Sequence, residues 1–196
     1  AGEFKRFGKN AKEVWIHASY NPILDAAGKP FKIVKFATDV TQTKLKNADY
    51  HGQLAAISKA QAVIEFNLDG TIVTANENFL AVIGYRLDEV AGRHHSMFVD
   101  AAYGSSAEYR QFWANLNAGQ FQSAEYKRFG KGGKEVWIQA SYNPIVDLNG
   151  KPFKVVKFAT DVTATKLQNA DYQGQLAAIN KSQAVIEFNL DGTILQ

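Results

Sequence analysis

The stretch EVWIHASYNPILD, from Glu13 to Asp25, returns as EVWIQASYNPIVD from Glu135 to Asp147. GKPFKIVKFATDVT, from Gly28, returns as GKPFKVVKFATDVT from Gly150, and QAVIEFNLDGTI, from Gln61, returns at Gln183. Residues 1–74 and 123–196 align without a gap at an offset of 122 and match at 57 of 74 positions. That period is too long for a solenoid unit and suits a whole small domain. The chain therefore reads as a window on a tandem array. Residues 1–41 are the C-terminal half of one repeat, 61–163 a complete repeat, and 183–196 the first hairpin of the next. Residues 42–60 and 164–182 are linker helices.

Local signals set the order of elements within the complete repeat. Gln61–Asn67 and Thr71–Ala75 alternate as strands about the turn signal Leu68-Asp69-Gly70. Asn76 is placed to cap a short helix with Phe79 and Ile83 on one face, ended by Gly84. Leu87–Val90 reads as a further helical turn. Ser105 and Glu108 have capping-box spacing ahead of Tyr109, Phe112, Trp113 and Leu116, which recur as one helical face. Three strands follow, Phe121–Phe129, Glu135–Ile145 and Phe153–Val162, with turns at Gly130–Gly133 and Asp147–Gly150. This is an α+β pattern, one antiparallel sheet with helices on one face. The last strand has apolar residues at both alternations, which predicts that both faces are covered, one by the helices and the other by the linker helix or a partner subunit.

Composition narrows the function classes. Hydrophobic residues make up 46% and charged residues 21%, and no apolar run approaches the ~20 residues of a membrane span. With no cysteine, thiol nucleophiles and zinc–thiolate clusters are excluded. The net charge of +3 is mild and its lysines are scattered, so nucleic acid is not expected as a partner. No catalytic motif is present: there is no G-x-S-x-G, H-E-x-x-H or Walker loop. The expectation is a cytoplasmic, non-enzymatic protein.

Two segments then resemble a known family. DGTIVTANENFLAVIGYRLDEVAGRHHSMFVD, from Asp69, is similar to the first half of a PAS sensory domain, and EYKRFGKGGKEVWIQASYNPIVDLNGKPFKVVKFATDVT, from Glu125, to its second. Asp161-Val162-Thr163 and its copy Asp39-Val40-Thr41 match the D-I/V-T signature that closes many such domains. GRHHSMFV, YRQFW and EVWIQASYNPI are similar to PAS domains of bacterial methyl-accepting chemotaxis and aerotaxis receptors. The resemblance implies a five-stranded antiparallel sheet in order 2-1-5-4-3, with short helices enclosing a small cavity. It also implies a sensor that binds a small ligand or cofactor, dimerises, and signals through its flanking helix to an output module. A chemoreceptor signalling bundle is the first expectation for that module.

The candidate site residues come from both readings. His94 or His95 could ligate a haem b iron, neutral imidazole being a good ligand; one histidine hydrogen-bonded locally and the other facing solvent is the plainer alternative. Trp113 could form a wall of an FAD pocket, or simply complete the core stripe begun by Tyr109. An empty core, in an array that serves only as a spacer and dimerisation device, is the third reading. For signalling, Asp161 and Thr163 open the linker, and Gly174, repeated as Gly52, softens its helix by roughly 1 kcal/mol relative to alanine. The incomplete ends predict a homodimer, with strand exchange between equivalent strands.

Overall fold

The computed structural model describes residues 1–182 and 184–195 and divides the chain into two units, Ala1–Ile57 and Ser58–Gln196. The first unit is a three-stranded antiparallel sheet in order β1-β2-β3, followed by a helix. Its elements are β1 (Gly2–Phe7), β2 (Glu13–Leu24), β3 (Pro30–Asp39) and α1 (Thr41–Ala60).

The second unit opens with the hairpin β4 (Ala62–Phe66) and β5 (Ile72–Ala75), then the helices α2 (Glu77–Ile83) and α3 (Leu87–Val90). A 3₁₀ turn at His95–Phe98 leads to α4 (Ala101–Ser105) and α5 (Ala107–Asn117). The strands β6 (Gln122–Phe129), β7 (Glu135–Val146) and β8 (Pro152–Asp161) follow, then α6 (Thr163–Ser182). The sheet order is β5-β4-β8-β7-β6, antiparallel throughout, which is the expected 2-1-5-4-3. Both termini of the expected hairpin 183–196 lie outside the described residues; between them Asn189 N–H donates to Thr193 O and Leu195 N–H to Glu187 O.

Side-chain chemistry explains why the helical block sits where it does. Asn76 Oδ1 accepts from the Phe79 N–H at 3.0 Å and from the Val63 N–H at 2.9 Å, so one amide caps α2 and ties it to β4. Gly84 ends the helix at φ +72°, in the left-handed region glycine enters without a Cβ penalty. The cap of α5 is Ser106, whose Oγ accepts from Tyr109 N–H, and not Ser105 as the spacing predicted. Ser105 instead closes α4, a short helix the periodicity did not mark, and donates to Ala101 O. The apolar stripe of α5 (Tyr109, Phe112, Trp113 and Leu116) is buried against the sheet with Ile64, Phe66, Ile138 and Val155.

On the opposite face of β8, Val156 is buried and Phe158 half-buried, while on the core face Phe153, at the start of the strand, is 52% exposed. In the first unit the equivalent of the core face is open. Tyr20 and Ile33 are 48% and 67% exposed, whereas their counterparts Tyr142 and Val155 are fully buried. Residues 1–57 contain no counterpart of the block α2–α5, so nothing within the unit shields these side chains.

Candidate functional site

The core of the second unit is polar at its centre. His95 is fully buried and stands among aromatic rings, stacked on Tyr109 with centroids 5.8 Å apart and edge-on to Phe66 at 5.3 Å. Its Nδ1 lies 2.8 Å from the Tyr109 hydroxyl and its Nε2 2.9 Å from the Tyr142 hydroxyl. Arg128 Nη2 donates to that same Tyr142 oxygen at 3.2 Å. One direction uses each proton once: Arg128 to Tyr142, Tyr142 to Nε2, and Nδ1–H to Tyr109. Desolvation holds the imidazole neutral, well below its ordinary titration range, with Arg128 and Lys157 adding repulsion. Burial likewise pushes the Tyr109 hydroxyl up to about 12 and raises that of Tyr142.

Two cations share this interior. Arg128 is 4% exposed; its Nη1 donates to Lys127 O at 2.8 Å, while its Nε has no partner. Lys157 is 1% exposed, with its Nζ 4.7 Å from the Tyr142 ring centre and 5.4 Å from that of Phe79. Burial drives the Lys157 amine well below its ordinary value, and Arg128 pushes in the same direction. No carboxylate among the described residues is within ion-pairing distance of either group. The Trp113 indole N–H is also buried. It lies close enough to the Tyr109 hydroxyl to favour its ionised form, yet lacks a full hydrogen-bond partner.

The expected site residues separate in space. His95 and Trp113 meet in the core, ring centroids 5.6 Å apart. His94 is exposed and structural: its Nε2 donates to Asp69 O at 2.9 Å and its Nδ1 accepts from Ser96 N–H, which ties the 3₁₀ turn to the β4–β5 turn. Gly70 lies under this contact at φ +85°, where a Cβ would come 2.6 Å from His94 Nε2. Neither histidine is arranged for haem. Both nitrogens of His95 are engaged, and the rings of Phe66, Tyr109, Phe112 and Trp113 surround it. Trp113 packs against the rings of Phe66, His95 and Phe112 at centroid distances of 5.7, 5.6 and 5.9 Å, so as packed it completes the core and is not a free wall for a flavin. The unpaired Arg128 Nε–H and Trp113 N–H are donors, suited to acceptor oxygens and not to a metal.

Asp161 and Thr163 form a second constellation at the start of α6. Asp161 Oδ1 accepts from Thr163 N–H at 2.9 Å, and Thr163 Oγ1 accepts from Trp137 N–H at 2.9 Å. Val162 N–H donates to Trp137 O, and Lys166 reaches both Glu125, at 2.5 Å, and the Trp137 ring. The first unit repeats each contact with Asp39, Thr41, Trp15, Lys44 and Glu3. Gly174 lies within an unbroken α6 with no atom near the place of a Cβ.

Arg128, Tyr142 and Lys157 were missed by sequence reasoning, although strand alternation marks them. Lys157 lies two residues from Val155 and Ala159, and Tyr142 two from Ala140, all on the buried face.

Residues 72–159 match the family described as the PAS fold. The second unit holds a PAS domain. The chain is 39% identical over 163 residues to the biofilm dispersion protein BdlA of Pseudomonas aeruginosa, covering 83% of this chain and 39% of that protein. It is 32% identical over 80 residues to the aerotaxis receptor of Escherichia coli K12, covering 41% of this chain and 16% of the receptor. The chain thus spans well under half the length of either relative. The PAS domain of a Colwellia psychrerythraea protein superposes with a TM-score of 0.51 at 19% identity, over 59% of this chain and 98% of that one; it shows the fold alone. The PAS fold over residues 72–159 thus lies in a chain similar to parts of a biofilm dispersion protein and an aerotaxis receptor.

Proposed function

We propose that this chain is a cytoplasmic sensory segment of a chemoreceptor-like protein. Its PAS core takes up a small molecule, and the Asp161-Val162-Thr163 junction passes occupancy to α6 and on to an output module. One observation carries this reading: the same two strands hold the core and the helix start. β7 presents the Tyr142 side chain to the core and donates its Trp137 backbone N–H to Thr163 Oγ1, while β8 carries Lys157 inside and Asp161 at the junction. A shift at Tyr142 or Lys157 that moves either strand therefore acts on the first turn of α6. Of the expected site residues, His95 and Trp113 line the core, Asp161 and Thr163 transmit, and Gly174 sets the stiffness of the helix.

The exposed faces support a homodimer. Leu167, Tyr172, Leu176 and Ile179 on α6 are all open, as are their counterparts Leu45, Tyr50, Leu54 and Ile57 on α1. The bare sheet of the first unit supports strand exchange between copies as its route. The same surfaces favour a second reading, a spacer and dimerisation array whose core senses nothing.

Analytical ultracentrifugation of the parent chain and of Lys157→Met separates the two. If the core controls the flanking helices, removing its cation shifts the dimer constant several-fold, although residue 157 is buried. A spacer gives the same dimer constant in both.

A further inference from the structure

The centre of the PAS core holds basic side chains with no counter-charge among the described residues. A guanidinium keeps its charge in proteins, and an uncompensated buried cation is strongly destabilising. Arg128 is nevertheless more than nine-tenths buried, with no carboxylate among the described residues in ion-pairing reach and with Nε unpaired. Nε and Nη2 form one edge of the guanidinium, the fork that takes a planar carboxylate in two parallel hydrogen bonds. Nη2 already lies 3.2 Å from the Tyr142 hydroxyl, and Lys157 Nζ lies 4.7 Å from the Tyr142 ring centre. Both cations thus converge on one tyrosine.

The arrangement occurs twice. In the first unit Arg6 Nη1 donates to Lys5 O, Arg6 Nη2 approaches the Tyr20 hydroxyl at 3.5 Å, and Lys35 Nζ lies 5.5 Å from the Tyr20 ring centre. Arg6, Tyr20 and Lys35 are the counterparts of Arg128, Tyr142 and Lys157 at the 122-residue offset. There the trio is open to water, which solvates both charges. The trio therefore forms from the strands themselves, and it is the helical cover that strips its water in the complete domain. Simple packing would be met more cheaply by apolar residues of similar volume.

We infer that the core of the complete domain binds a small carboxylate, seated on the Nε–Nη2 edge of Arg128 and neutralised jointly with Lys157 beside Tyr142. The inference rests on the sensory reading above and names the chemistry of its ligand. The close packing of Phe66, Phe112 and Trp113 around His95 limits that ligand to a few heavy atoms. Formate and acetate have the size and planarity required, whereas inorganic phosphate shares the charge but is tetrahedral.

Thermal unfolding of the whole chain in sodium formate, acetate, phosphate or chloride, at matched ionic strength, tests the inference. Formate or acetate should raise Tm saturably above chloride, with phosphate behaving as chloride. Arg128→Gln should weaken the carboxylate response at least roughly tenfold, the loss of a charge-assisted hydrogen bond. Lys157→Met, which removes a buried polar amine, should fold at least as stably in chloride and lose the response. It keeps the test decisive if Arg128→Gln does not fold. If carboxylates act as chloride does, or if Lys157→Met responds as the parent does, the inference is wrong. A response to phosphate alone also overturns it. None of these failures removes the sensory reading, which the dimer constant tests separately.

Discussion

His95 shows how much one buried residue can impose on a small domain. It is held neutral in the fold but titrates near its ordinary value of 6.5 when unfolded. As the pH falls through that value the unfolded chain gains a proton the folded chain refuses, so stability is lost on the acid side. The loss begins as the pH falls through the unfolded value and grows with further acidification until the folded imidazole also protonates. Urea unfolding across this range should show the slope, and His95→Gln, which keeps a donor and an acceptor, should flatten it. An equal slope in both proteins would remove His95 as the cause. Trp113→Ala opens a cavity beside His95 and should cost about 3–5 kcal/mol, readable as a fall in the urea midpoint. A cost under about 1 kcal/mol would mean that Trp113 is not part of the packed core.

Among the elements, those with strong local chemistry were legible and those defined by contact were not. The caps Asn76 and Gly84, the stripe of α5 and the three long strands all follow from residue type and spacing, with strand ends within a residue or two. The α5 cap slipped by one because Ser105 and Ser106 both satisfy the serine rule; α4 ends at the first and α5 starts after the second. The 3₁₀ turn at His95–Phe98 exists because His94 bonds Asp69 far back in the chain, which no local pattern encodes. The polar centre was hidden for a related reason. Lysine and arginine are rarely buried, so alternation at Lys157 and Arg128 argued against residue type; of the expected residues His95 reached the polar centre, and Trp113 belongs to its aromatic wall. Gly174 lies in an unbroken helix without tertiary contacts at its Cα. Gly174→Ala should therefore strengthen α6 by about 1 kcal/mol, slowing its amide exchange roughly fivefold. Unchanged exchange would mean that the glycine does not limit the helix.

At the scale of the molecule, the repeat is an internal control. The Asp-Val-Thr junction is built twice with the same contacts, once below a fully covered core and once below an open sheet. Two helices of nearly identical sequence, α1 and α6, thus begin from the same clamp in different surroundings. The central claim is that core and helix are coupled through β7, and hydrogen exchange on both helices in one sample tests it most directly. Tyr142→Phe removes the hydroxyl that joins Arg128 to His95 while keeping the ring. The account predicts changed protection over Thr163–Lys166 in this variant, with Thr41–Lys44 exchanging as in the parent. Identical protection at both helix starts, in a variant whose core amides do change, would contradict it.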